Sequence, residues 1–191
     1  MKKEASSAVD RLARWRFRHA LGREVSNRLL VDATTGLPNH FAFELFYERC
    51  RRQGRTPPVI EVDIRGFGRF NERRGGLRRG NEILANFASE LRGALKAADF
   101  VARWSIGDEF IVAAVGVQSR NALARLCERL EGPFVVRWGR RRRVLRCYAV
   151  GMLTRGMTLE QVERVLHERL RRKKVAAKAS ARIEKTQPAV K

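Results

Sequence analysis

Arg103-Trp104-Ser105-Ile106-Gly107-Asp108-Glu109-Phe110 sets two adjacent acids behind a glycine, between segments whose apolar residues alternate as strands do. The stretch reads as the tip of a β-hairpin, with Phe100 to Ile106 and Phe110 to Val117 as its strands. Carboxylates on such a tip are able to hold a divalent cation against a phosphate. They stand out because the chain has 41 Lys and Arg against 20 Asp and Glu, a formal net charge of +21.

Upstream of the hairpin, Val59 to Ile64 alternates and is β-rich, so it is expected as a central strand that ends at Asp63 and departs at Gly66 and Gly68. A helix is expected from near Phe41 to about Arg52, capped by Asn39 or a neighbour after the turn residues Asp32 to Pro38. Asn81 to Ala97 puts Ile83, Leu84, Phe87, Leu91 and Leu95 on one helical face, and Asn121 to Leu130 is a further helix. Phe134 to Trp138 and Val144 to Gly151 are expected as a second hairpin, turning at Gly139 and the run Arg140-Arg141-Arg142-Arg143. Thr158 to about Lys178 is the last helix. Helices interspersed with adjacent hairpins favour an α+β sandwich over a doubly wound parallel sheet.

At 191 residues and 44% apolar, the chain has material for one substantial core. The expected organisation is a basic amphipathic helix within residues 1–31, one domain over 32–178 and a basic, disordered tail over 179–191. No stretch approaches the roughly 20 apolar residues of a bilayer span, and a cytoplasmic location is expected. Cys50, Cys127 and Cys147 are widely spaced in apolar surroundings, which points to buried thiols rather than a disulfide framework or zinc. His19, His40 and His167 lack metal-ligand spacing. Trp15, Trp104 and Trp138 are read as packing anchors. A strongly basic surface attracts polyanions but does not choose among nucleotides, nucleic acid, anionic lipid and acidic protein.

Several further motifs accompany the acidic tip. Thr35-Gly36-Leu37-Pro38-Asn39, Asp63-Ile64-Arg65-Gly66-Phe67, Asn71, Gly80-Asn81 and Gly107-Asp108-Glu109-Phe110 occur in the order and approximate spacing of the GGDEF domain, and the chain resembles that family from about Asp32 to Lys178. The resemblance implies an α+β, palm-like fold related to nucleotide cyclase catalytic domains, with a central, mainly antiparallel sheet flanked by helices. It also implies diguanylate cyclase activity: two GTP condensed to cyclic di-GMP across a homodimer, with Mg2+ or Mn2+.

Carried over by position, the resemblance makes Asp108 and Glu109 catalytic, and Asp63, the Ile64 carbonyl, Asp108 and Glu109 metal ligands. Phe67, Asn71, Asn81, Gly107, Lys174 and Lys178 fall at nucleotide-binding positions. Lys96 and Asp99 fall at a degenerate product-inhibition site, where lysine lacks the flat fork of the family's arginine. Asn81 replaces an aspartate, so weaker preference for guanine is expected.

The chain departs from the family pattern around the nucleotide. Ile106 replaces the first glycine, Ser105 is an added residue, and Gly75 to Gly80 is one residue longer than usual. Arg65 replaces a second acid. By strand alternation it shares a face with Asp63, where it would either pair with that carboxylate and displace a metal or contact phosphate. Weakened catalysis is therefore expected. The alternatives are a catalytically inactive module that senses nucleotide or binds an acidic protein through the basic surface, and, less favoured, binding of nucleic acid or another polyanion.

Overall fold

The computed structural model describes residues 29–70, 72, 76–104, 107–139 and 141–186. The amphipathic helix expected from Val9 to Val31 falls almost wholly outside them, as do Asn71, Ser105, Ile106 and the end of the tail.

Helix α1 (His40–Arg52) begins where Asn39 accepts a hydrogen bond from the Ala42 amide at 3.0 Å, the cap foreseen in the sequence. Then follow β1 (Val59–Ile64), the short α2 (Phe67–Phe70), α3 (Gly76–Gly93), β2 (Phe100–Arg103), β3 (Glu109–Ala113) and α4 (Arg120–Leu130). The chain closes with β4 (Phe134–Trp138), β5 (Arg141–Leu145), β6 (Cys147–Met152) and α5 (Leu159–Thr186).

Four strands form one antiparallel sheet in the order β2-β3-β1-β6, and β4 and β5 form a separate ribbon. All six residues of β1 are buried, because both its edges are paired and both its faces covered. Ile60, Val62 and Ile64 join Ile83, Phe87 and Leu91 of α3 and Leu123, Leu126 and Leu130 of α4 in one core. Val59 faces the other way, into a core with Phe43 and Tyr47 of α1 and Leu159, Val162 and Leu166 of α5. Strand alternation puts Glu61 and Asp63 on this second face, beneath α5. The expected α+β architecture, an antiparallel sheet between helices, is the observed one.

Element boundaries differ from expectation where the apolar period does not report them. The run from Val144 to Gly151 is two strands, not one: β5 ends at Leu145, paired with β4, and β6 starts at Cys147, paired with β1. Exposed Arg146 separates them, and its carbonyl accepts from the Arg65 amide at 2.9 Å as the chain changes sheets. Helix α3 starts at Gly76 rather than Asn81 because its first turn is exposed and carries no apolar stripe. It stops at Gly93 rather than Ala97, where Arg92 Nη1 donates to the Asp99 carbonyl at 2.8 Å and Nη2 to the Lys96 carbonyl. Helix α5 continues past Lys178 to Thr186, so residues 179–186 are helical and not the disordered tail expected. Its last turns are rich in Ala, Lys and Arg, good helix formers that need no apolar face to remain helical.

No helix among the described residues is long and apolar enough to cross a membrane. All three cysteines are free thiols. Burial pushes the Cys127 thiol up to about 11 and raises Cys147 further, so neither is poised as a nucleophile.

Candidate functional site

Antiparallel pairing delivers the acids to one place. Asp63, next to last in β1, is register partner to Glu109, first in β3, and the Ile64 amide donates to the Asp108 carbonyl at 3.3 Å. Asp63 is 6% exposed, while Asp108 and Glu109 are half-buried. Burial raises the Asp63 and Asp108 carboxyls, since the charged form loses hydration. For Asp108, burial and then the neighbouring Asp63 charge push the carboxyl up to about 6.

The compensating cation is Lys174. Its Nζ lies 2.6 Å from Asp63 Oδ2, reaching down from α5. Burial alone would lower the ammonium, yet the hydrogen bond to Asp63 and the charges of Asp63, Glu109 and Asp108 hold it above its ordinary value. Burial likewise raises Asp63, and Lys174 offsets part of that rise. Lys178, one turn further along the helix, is exposed.

Arg65 does not pair with Asp63, the first of the two alternatives open to it, and does not share that residue's face as strand alternation implied. The alternation of β1 ends at Ile64, and Gly66 follows at φ +71°, so the side chain swings toward β6. Arg65 Nε donates to the Cys147 carbonyl at 2.8 Å, its guanidinium lies 4.3 Å over the Tyr148 ring, and Nη2 is 3.5 Å from Glu131 Oε2. Glu131 also holds Lys173 in an ion pair. Neither Glu131 nor Lys173 had a sequence signal, because the cluster joins residues from β1's exit, the end of α4 and α5.

The hairpin is anchored by Arg103, itself 6% exposed. Its Nη1 donates to both Asp32 oxygens at 3.1 and 3.2 Å, and its Nε and Nη2 donate to the Gly107 carbonyl at 3.2 and 2.8 Å. The planar fork thus ties the turn before α1 to the backbone of the acidic tip.

Other predicted positions are less gathered. Phe67 is buried against Phe70, ring centroids 6.3 Å apart, which leaves only its backbone to a ligand. Asn81 is half-buried on α3, and Asn71 lies outside the described residues. Lys96 is exposed, whereas Asp99 is 6% exposed and accepts the Lys96 amide at 2.9 Å through Oδ2. Asp99 therefore closes the turn after α3 and its Oδ2 is taken by backbone. Trp104 packs edge-on against His40 and Phe43, as a packing anchor does.

The donor set suits Mg2+ or Mn2+ in kind, since it consists of hard carboxylate oxygens whose crowding leaves negative charge to be balanced. In the described arrangement no three such side chains converge on one point, and the Lys174 ammonium supplies the positive charge at Asp63. Glu61 is a further acid on this face that the sequence motifs did not mark. It is 5% exposed, and burial, followed by Glu109, pushes its carboxyl up to about 7.

The family described as "Diguanylate cyclase, GGDEF domain" matches residues 29–140. The diguanylate cyclase DgcP of Pseudomonas aeruginosa is 36% identical over 116 residues, 59% of this chain and 17% of DgcP. The chain spans less than a third of the length of the curated relatives it matches. Among solved structures, the GGDEF domain of TpbB from Pseudomonas aeruginosa superposes with a TM-score of 0.56 at 24% identity, covering 70% of this chain and 88% of that one. The coiled coil and GGDEF domain of DgcB from Caulobacter crescentus, in complex with c-di-GMP, gives 0.62 at 18% identity, covering 92% and 96%.

Proposed function

The chain belongs to the GGDEF family of diguanylate cyclase domains, and on that premise we propose that it is a cyclic di-GMP signalling protein whose acidic tip condenses two GTP to cyclic di-GMP, at a reduced rate. The observation that carries this reading is the pairing of Asp63 with Glu109 beside Asp108, beneath the ammonium of Lys174. Asp63, Asp108, Glu109 and the Ile64 carbonyl would hold Mg2+ or Mn2+, which when bound neutralises triphosphate charge and activates the attacking 3′-hydroxyl.

The chain's own residues do the remaining work. Lys174, held at Asp63, stands where its ammonium would meet a phosphate oxygen of the triphosphate, and Lys178 would add charge one turn on. Arg103 holds the tip backbone against the turn at Asp32, fixing where Asp108 and Glu109 stand. Asn71 and Asn81 contact guanine, with Asn81 offering a neutral amide oxygen. Each domain holds one GTP, so the reaction joins two copies.

A second reading is a catalytically inactive module that binds nucleotide or an acidic protein. The 2.6 Å Lys174–Asp63 ion pair favours it, because the pair balances the acid without a metal. Incubation with GTP and either Mg2+ or Mn2+, with product identified by chromatography and mass beside Asp108→Ala, decides between the two. Cyclic di-GMP from the wild type alone establishes the enzyme; none at high GTP from a folded dimer establishes the module.

A further inference from the structure

Beside the acidic tip, between α5 and the β1–β3 surface, lies a cavity of about 640 Å³. It is acidic in a protein of net charge +21: Glu61, Glu109, Glu160, Glu163 and Glu168 all line it. Glu168 is occupied by Arg171 and Arg172. Glu61 is the informative one, a carboxylate 5% exposed on the cavity wall, with no hydrogen bond or ion pair among the described residues. Its oxygens are not sealed from solvent but open onto the cavity, so a cation that enters there meets a nearly buried carboxylate that no side chain among the described residues holds. Lys174, whose charge acts on it, is committed to Asp63.

We propose that this cavity binds an aliphatic polyamine, with one ammonium on Glu61 and a second on Glu163 and Glu160. The volume is far larger than one metal ion requires, and no three acidic, histidine or cysteine side chains among the described residues converge to hold one. The acids are instead distributed along walls that include the apolar Ile111 and Leu166 and the ring of Trp104. That alternation of carboxylate and hydrocarbon matches a chain of ammonium groups separated by methylene runs, and an indole face attracts a cation. Arg164 and His167 stand at the exposed rim and leave the inner acids for the ligand. The occupant also meets Glu109, so it competes with cations at the acidic tip; this consequence alone rests on the cyclase reading.

Calorimetric titration of spermidine, and separately putrescine, into the nucleotide-free full chain at fixed ionic strength tests the site. One saturable event is expected, weakened about tenfold by Glu61→Gln or by Glu163→Gln and abolished by both. Asp108→Asn, outside the cavity lining, is expected to bind spermidine as the wild type does, which separates this site from the cyclase centre. Glu163→Gln changes only a half-buried helix position and so reads the cavity even where Glu61→Gln perturbs the strand. Absence of binding at millimolar spermidine, or affinity indifferent to both substitutions, overturns the proposal. The high positive charge of the chain suppresses nonspecific polyamine attachment elsewhere.

Discussion

Lys174 of α5 reaches Asp63 at the end of β1, Nζ to Oδ2 at 2.6 Å, so the acid that matches a metal-ligand position is already balanced by a cation of the chain. Removing that ammonium with Lys174→Met leaves a nearly buried carboxylate facing Glu109. The expected loss in EDTA is about 2 kcal/mol, below the range for fully buried pairs because the lysine is partly exposed. Manganese should restore more stability to the variant than it adds to the wild type, since the ion takes over the role of the lysine. Urea denaturation with EDTA and with manganese chloride measures both; an equal manganese increment in the two proteins would show that the metal and the lysine do not share Asp63.

Arg65 faces Glu131 and the Tyr148 ring rather than the acidic tip. Arg65→Ala is therefore expected to leave manganese-dependent GTP affinity within about twofold while costing about 1 kcal/mol of stability through the lost partly exposed pair and ring contact. Equilibrium dialysis with labelled GTP and urea unfolding separate the two effects. A tenfold fall in GTP affinity would mean that the guanidinium swings onto phosphate.

The parts of the fold that alternation encodes were legible in the sequence. β1, the acidic hairpin and the cap at Asn39 follow from local pattern alone, and the ordered motifs gave the family. What was not legible depends on partners far apart in the chain. The change of sheet at Arg146 is invisible because the alternating pattern runs through it, and only pairing of Leu145 with Phe134 and of Cys147 with Ile64 reveals two strands. Glu61 shares a face with Asp63 by the same alternation that placed Asp63, yet a single acid in an apolar strand has no motif. Its significance comes from Glu163 and the rest of α5, which only the fold brings opposite.

Gly151 shows how closely α4 lies on the sheet. A β-carbon added there would stand 2.9 Å from Cys127 Sγ, 3.1 Å from Leu123 Cδ1 and 3.2 Å from Ile60 Cγ1. Gly151→Ala is expected to destabilise by about 1–3 kcal/mol through overpacking. Cys127→Ala removes the nearest obstacle, so the double variant should lose less than the sum of the single losses, by about 0.5–1 kcal/mol. Thermal and urea unfolding of the four proteins completes the cycle, and strict additivity would mean that the helix moves as a whole instead.

Asp32 and Arg103 link stability to pH. Burial would raise the Asp32 carboxyl, but hydrogen bonds from Thr35 and then from Arg103 outweigh it and hold the group below its ordinary value of 3.8. A carboxyl lowered in the folded state binds its proton more readily when unfolded, so its stabilisation is complete above the ordinary value and disappears as pH falls through the lowered one. Asp32→Asn keeps an acceptor for Thr35 but removes the charge opposite a guanidinium that is 6% exposed. The expected cost is about 2 kcal/mol near neutrality. That gap between wild type and variant should stay constant down to about pH 4 and close below it, as the wild-type carboxyl takes up its proton. Urea unfolding of both proteins in steps from about pH 6 to pH 3 reads the gap directly; a difference that persists unchanged at the lowest pH would assign the loss to packing around the substituted amide rather than to the ion pair with Arg103.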